Sequence, residues 1–219
     1  MISYAVSVGS FGEYMTPALA EAFRKSQLRN LELSFRPCAE STEAARISAE
    51  LTRNLLDEGV VRSASVHLPF YAAGRCWDPS ALDESRRREV AARFRKLIRD
   101  NAELMAPHVT LHASNEPPPD EHPARIDQAC KTIEEMIPLA GELGFSINIE
   151  YLPRTCLGNC VEELQTITSR FDPKHVGICF DVNHVMDRRR ELPDMIAALA
   201  PRIRTFHISD YDGVDEMHW

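Results

Sequence analysis

The sequence predicts an α/β fold of the TIM (β/α)8-barrel type that stops after its seventh strand. Two observations predict it. Short β-type segments alternate along the chain with longer helical patterns, which favours a parallel sheet with right-handed crossovers. In six of the predicted strands, one face is apolar and the other carries polar and ionisable side chains.

The order of segments is regular from end to end. The predicted strands cover residues 4–8, 30–35, 63–70, 108–114, 145–152, 176–183 and 203–210. The predicted helices cover residues 16–27, 41–58, 84–105, 124–143, 160–170 and 192–199. Ser41 and Thr42 precede one helical run that Gly59 ends, and Gly144 ends another. No linker or close repeat divides the chain, so we expect one domain over residues 1–219.

Two architectures fit this order, an open doubly wound sheet and a closed barrel. No G-x-G-x-x-G follows the first strand, which weakens the nucleotide-binding sheet. In "FSINIEY", Ile147 and Ile149 oppose Asn148 and Glu150, because side chains alternate along a strand. A barrel accounts for this pattern, since the apolar face would meet the helices and the polar face would line the interior.

Ionisable side chains of the polar faces lie mostly late in their strands, where barrel active sites are built. The converging set is His67, His112, Glu150, Asp181 and His207. Each alone is weak evidence, but two converging carboxylates would repel without a cation between them. Because imidazoles are present, the set suits Mn²⁺, Co²⁺, Zn²⁺ or Fe²⁺ better than Ca²⁺, and Mg²⁺ stays open.

The composition narrows the partners. The formal net charge is −8 and no Lys/Arg run resembles a nucleic-acid footprint, so we expect no nucleic-acid partner. No apolar run approaches 18 residues and no signal-peptide pattern follows Met1, so we expect no membrane partner. Six cysteines without metal-site spacing predict free thiols in the cytoplasm.

Five short motifs stand at the ends of consecutive predicted strands. They are "HLPF" at 67–70, "LHAS" at 111–114, "NIEY" at 148–151, "FDVNH" at 180–184 and "HISDYDG" at 207–213. With these motifs in this order, essentially the whole chain resembles the xylose-isomerase-like TIM barrels. That superfamily of sugar (phosphate) isomerases and epimerases also contains endonuclease IV.

The resemblance implies roles for the strand-end residues. Glu150 would be both a metal ligand and the proton-transfer base, with Asp181 and His207 as the other ligands. His184 would lie near the substrate or a second metal. For His67 and His112 we favour substrate contact over additional metals.

Other residues near the strand ends are open to two interpretations. Arg154 follows a strand and is expected to meet a phosphate or carboxylate of the substrate. Phe70, Tyr71 and Trp77 would form an apolar wall against the sugar or belong to core and surface.

The function expected from this resemblance is metal-dependent isomerisation or epimerisation of a small keto sugar or related polyol, by a protein that can form homo-oligomers. Three alternatives stay open. They are an endonuclease IV-like phosphodiesterase, a metal-dependent dehydratase or hydroxypyruvate-type isomerase, and a non-catalytic sugar-binding barrel.

One departure from the family concerns the eighth strand, whose Glu is a fourth ligand in family members. This sequence stops at "DEMHW", where Glu216 and His218 would be ligands or, as we favour, plain loop residues. We therefore expect a fragment or an assembly partner with open strand edges, less stable and weaker in metal binding than an extended relative.

Overall fold

The computed structural model describes residues 3–214, and within them seven parallel strands form one sheet in the order β1-β2-β3-β6-β7-β8-β9. The strands are β1 Val6–Ser7, β2 Asn30–Ser34, β3 Arg62–His67, β6 His108–Leu111, β7 Ser146–Glu150, β8 Val176–Asp181 and β9 Ile203–His207. A separate antiparallel hairpin joins β4 Tyr71–Ala72 to β5 Arg75–Cys76. The α-helices are α1 Pro17–Lys25, α2 Glu43–Asp57, α3 Glu84–Asp100, α4 His122–Leu143, α5 Val161–Thr168 and α6 Leu192–Leu199.

Helix boundaries follow local chemistry. Thr42 and Asp83 cap α2 and α3, since their side chains accept N–H groups of the first turn that have no partner within the helix. Gly144 ends α4 with a φ of +76°, a left-handed conformation that glycine adopts without steric cost. The predicted helix ends at Thr42 and Gly144 are thereby confirmed.

The barrel-type fold is confirmed by strand order and by the two strand faces. A doubly wound sheet reverses its strand order at a switch point, whereas the parallel strands of residues 3–214 follow one another in chain order. Val66, Val109 and Ile147 are fully buried in the apolar core. The alternate residues of the same strands contact one another inside the curved sheet.

Side-chain contacts also show that the sheet curls. His207 Nε2 in β9 lies 3.0 Å from Glu32 Oε2 in β2, although five strands stand between them in sheet order. The interior therefore brings together groups from strands that are distant in sequence.

Several boundaries differ from the sequence predictions. Strand β1 is shorter than the predicted 4–8, and α3 ends at Asp100 because a 3-10 turn at Ala102–Leu104 follows it. The hairpin of β4 and β5 was not predicted, and it turns through Ala73 and Gly74 in left-handed conformations. Glu216 and His218 lie outside the described residues.

Two further predictions concern composition. All six cysteines are free thiols, as expected. Among residues 3–214, no helix combines the length and the apolar character needed to cross a membrane.

Gly177 in β8 allows close packing that a methyl group would disturb. A Cβ there would lie 2.5 Å from Arg204 Cγ, 2.8 Å from Asn148 Oδ1 and 3.0 Å from the carbonyl oxygen of Arg202. We expect Gly177→Ala to destabilise the chain by about 1–3 kcal/mol, as overpacking does. Urea unfolding measures this change.

Gly141 in α4 provides the matched control. A Cβ there has no listed atom of the kind found at Gly177 within 4 Å, so Gly141→Ala adds helix propensity without a clash. We expect it to stabilise the chain by roughly 0.5–1 kcal/mol. Stabilisation by both substitutions would show that β8 packs less tightly than its distances indicate.

Candidate active site

Glu150 is the centre of a polar cluster at the C-terminal mouth of the barrel. It is the last residue of β7 and is 1% exposed. Its Oε1 lies 2.9 Å from His207 Nδ1. Its Oε2 lies 3.0 Å from His67 Nε2 and 2.9 Å from His112 Nε2. The structure thus brings together four of the five residues expected to converge, and Asp181 joins them through His207.

Asp181 ends β8 and is fully buried. Its Oδ1 accepts the backbone N–H of Asn183 at 2.7 Å and of His184 at 3.2 Å. Its Oδ2 lies 3.4 Å from His207 Nδ1. This turn explains the spacing of Asp181 and His184, because the carboxylate holds the chain so that the imidazole returns to the mouth. There His184 Nδ1 donates a hydrogen bond to the carbonyl oxygen of Tyr151 at 2.8 Å.

The imidazoles determine the charge of the central carboxyl. Burial alone would raise the pKa of Glu150, but the charges and hydrogen bonds of His207 and His112 hold it well below its usual range. Burial would lower the pKa of His67, but its hydrogen bond to Glu150 raises it. Burial lowers the pKa of His112. Glu150 is therefore an ionised carboxylate, as a ligand or a base must be.

Sequence analysis assigned no role to Glu32, which the structure places in the same cluster. Glu32 is 7% exposed, and its Oε2 accepts a hydrogen bond from Ser65 Oγ at 2.8 Å and faces His207 Nε2 at 3.0 Å. Burial would raise its pKa, but the hydrogen bond and charge of His207 lower it to about 2. The available signal was a carboxylate on the inward face of a predicted strand. Cys179 also lies beside Glu150 and His207.

The three aromatic residues after β3 have different positions. Phe70 stacks on the His112 ring with centroids 4.7 Å apart, and it is half exposed at the mouth, as is Tyr71 in the hairpin. Trp77 instead packs into the core, 5.3 Å from the ring of Phe94, so it belongs to no pocket wall. Phe70 is the aromatic side chain that a molecule entering beside His112 would meet.

Arg154 lies at the rim, away from the central carboxylate. Its guanidinium pairs with Glu116, and its backbone is left-handed with a φ of +51°. It lines an open depression together with His184, Met186 and Arg188. The expected contact with a substrate phosphate or carboxylate stays a prediction.

The donor atoms at the mouth suit a divalent cation. Glu150 Oε1 and Asp181 Oδ2 lie 2.9 and 3.4 Å from His207 Nδ1. Atoms bound at about 2.0–2.2 Å to one ion are separated by roughly 3.0–3.5 Å, which these distances approach. Buried carboxylates also need nearby positive charge. Two further sets contain Glu150 and have donor atoms within 4.8 Å of one another, His67–His112–Glu150 and Glu150–Asp181–His184.

Comparison with known proteins gives a family and a fold. The profile of the family described as "Xylose isomerase-like TIM barrel" matches residues 20–218. An uncharacterized protein of Methanocaldococcus jannaschii is 26% identical over 159 residues, which are 70% of this chain. The matched region is 53% of that relative, so the chain spans about half the length of the curated relative it matches.

Two solved structures have a similar fold. The crystal structure of a D-tagatose 3-epimerase-like protein has a TM-score of 0.78 and 24% identity, over 99% of this chain and 79% of the other. A D-psicose 3-epimerase crystallised in the presence of D-fructose has a TM-score of 0.76 and 16% identity, over 95% of this chain and 73% of the other. At these identities the likeness shows the fold alone.

Asp181 provides a test of cation binding. Asp181→Asn removes one charge but keeps an oxygen that can accept the N–H groups of Asn183 and His184. We expect it to weaken the binding of Mn²⁺ or Co²⁺ by at least about tenfold, ~1.4 kcal/mol. Thermal unfolding over a series of ion concentrations measures this, because an ion that binds only the folded chain stabilises it.

Asp172→Asn is the matched control. Asp172 Oδ1 accepts the N–H of Lys174 at 2.7 Å, in the same kind of turn, but it precedes β8 at the opposite end of the strand. This variant should respond to the ion as the wild type does. Equal losses in both variants, or a wild type whose melting temperature ignores the ion, would count against a cation at Asp181.

Proposed function

The chain belongs to the xylose isomerase-like TIM barrel family, and from this premise we propose that it is a metal-dependent isomerase or epimerase of a small keto sugar or related polyol. The supporting observation is Glu150, an ionised and buried carboxylate whose two oxygens have different partners. Oε1 faces His207, on the side of Asp181, and Oε2 faces His67 and His112. One carboxylate could thereby serve both a cation and a substrate.

The keto-sugar substrate is extended from proteins of the same fold. The two solved relatives are named for D-tagatose and D-psicose 3-epimerisation, and we carry the substrate class, not the particular sugar, to this chain. The partly exposed imidazoles at the mouth are consistent with it, because their N–H groups can donate hydrogen bonds to hydroxyl oxygens.

Glu150, Asp181 and His207 would hold the cation. When bound, a divalent ion supplies polarisation of a carbonyl group and stabilises the negative charge that develops on its oxygen. Asp181 is kept in place by the two backbone N–H groups that it accepts.

Glu150 is the proposed base that removes the proton from the carbon beside the substrate carbonyl. In an isomerisation, the same carboxylate could return that proton to the adjacent carbon on the same face. An epimerisation inverts one carbon, so it needs a second proton donor on the opposite face. His67 and His112, 22% and 17% exposed at their side chains, would contact the substrate first and orient it.

Glu150→Gln should abolish proton exchange at the carbon beside the carbonyl, because it removes the base and weakens the cation site. A loss of at least about 10²–10⁴-fold is expected for a proton-transfer group. Proton NMR in deuterated water measures exchange at that carbon in the metal-loaded protein.

His67→Ala separates orientation from proton transfer. It removes one of the two imidazoles at Glu150 Oε2, so it should raise KM more than it lowers kcat, with metal affinity largely retained. The assignment fails if His67→Ala loses the metal while Glu150→Gln keeps full activity.

A substrate panel tests the proposed class directly. The metal-loaded chain should convert at least one member of a panel of ketoses, keto acids and polyols, and a chelator should stop the reaction. Cleavage of an abasic-site duplex at low salt, with no sugar converted, would instead support the phosphodiesterase alternative. Formation of a dehydrated product would support the dehydratase.

A further inference from the structure

Glu32 reaches His207 across the barrel interior. Its Oε2 lies 3.0 Å from His207 Nε2, and Ser65 Oγ donates to the same oxygen at 2.8 Å. Ser65 lies opposite Glu32 in the register of β2 and β3, so the hydroxyl is placed by the sheet itself. A carboxylate 7% exposed is costly to bury unless its charge is paired and hydrogen-bonded. These two contacts define the position of the side chain.

The two ring nitrogens of His207 face carboxylates on opposite sides. Nδ1 lies 2.9 Å from Glu150 Oε1 and 3.4 Å from Asp181 Oδ2, while Nε2 faces Glu32. An ionised carboxylate can only accept a hydrogen bond, so the nitrogen beside Glu32 must carry hydrogen. In the neutral ring, Nδ1 is then the nitrogen with a free electron pair, and it faces the other two predicted ligands.

We infer that Glu32 is a positioning residue for the cation site, holding His207 in the orientation and tautomer that present Nδ1 to a divalent ion. This inference rests on the proposed function, because it concerns the ion of that same site. A carboxylate that accepts the second N–H of a metal-binding histidine fixes the ring and makes its free nitrogen a better donor. Ser65 fixes Glu32 in turn.

A purely structural ion pair is the competing explanation, and the chain contains a matched example. His122 Nδ1 lies 2.7 Å from Glu163 Oε1, and His122 Nε2 lies 3.0 Å from the carbonyl oxygen of Thr155. Glu163 also accepts the N–H of Gly158. This pair joins α4 to α5 and contributes no donor to the groups around Glu150. Glu163→Gln therefore removes a buried carboxylate from a histidine without changing the cation site.

The experiment compares the wild-type chain with Glu32→Gln, Glu32→Ala and Glu163→Gln. Affinity for Zn²⁺ is measured by competition with a chelating dye, and urea unfolding reports stability. Long-range proton–nitrogen NMR of the Zn²⁺-loaded protein reports which nitrogen of His207 carries hydrogen. Glu32→Gln has the shape of the native side chain and keeps the test open if the alanine variant does not fold.

Both Glu32 variants should bind Zn²⁺ about 10–100-fold more weakly than the wild type. Glu163→Gln should bind it equally well, even where it loses stability. The wild-type spectrum should place the His207 hydrogen on Nε2. In Glu32→Gln the amide NH₂ can face Nε2 and favour the other tautomer, so that signal should weaken or disappear.

Contrary results separate the two proposals. Wild-type affinity in both Glu32 variants, or an equal loss in Glu163→Gln, overturns the role of Glu32 and leaves the proposed function standing. A wild type that binds no divalent ion overturns both. Zn²⁺ binding that depends on Glu32, in a protein that converts no sugar of the panel, supports the role of Glu32 and overturns the proposed reaction.

Discussion

Burial of the Glu150 carboxylate is the constraint on which the rest of the structure depends. An ionised carboxylate 1% exposed would be strongly destabilising without partners, and its partners come from three other parts of the sheet. His67 ends β3, His112 follows β6 and His207 ends β9. A slip of one residue in any of these strands would turn its histidine toward the helices. The site and the register of the sheet therefore specify each other.

Much of this arrangement could be predicted from sequence because it depends on local periodicity. Side chains alternate along a strand and the carboxyl ends of parallel strands meet at one mouth, so Glu150 and the histidines had to be neighbours. The family resemblance drawn from the strand-end motifs is confirmed by the family profile. The chemical roles are a different matter, since period and position say which groups meet and not which atoms they bind.

The parts that sequence could not supply depend on curvature and on loops. The contact of Glu32 with His207 joins residues 175 positions apart and exists only because the sheet curls. Trp77 and Tyr71 lie close in sequence, yet the hairpin between them puts one ring in the core and leaves the other half exposed. Arg154 pairs with Glu116, a partner from another loop that no strand pattern identifies.

Rigid strands and strained loops divide the work at the mouth. The groups around Glu150 stand on or directly beside strand ends, whereas the neighbouring depression is lined by loop residues. Two of them, Arg154 and Met186, have left-handed φ values of +51° and +53°. For residues other than glycine, such conformations cost on the order of 1–3 kcal/mol each and persist only where the surroundings hold them. Met186 follows the His184 turn and Arg154 follows β7, so both loops are held by the strands that carry Asp181 and Glu150. Loop changes could therefore alter which sugar fits beside His184 without moving the carboxylates that would perform the chemistry.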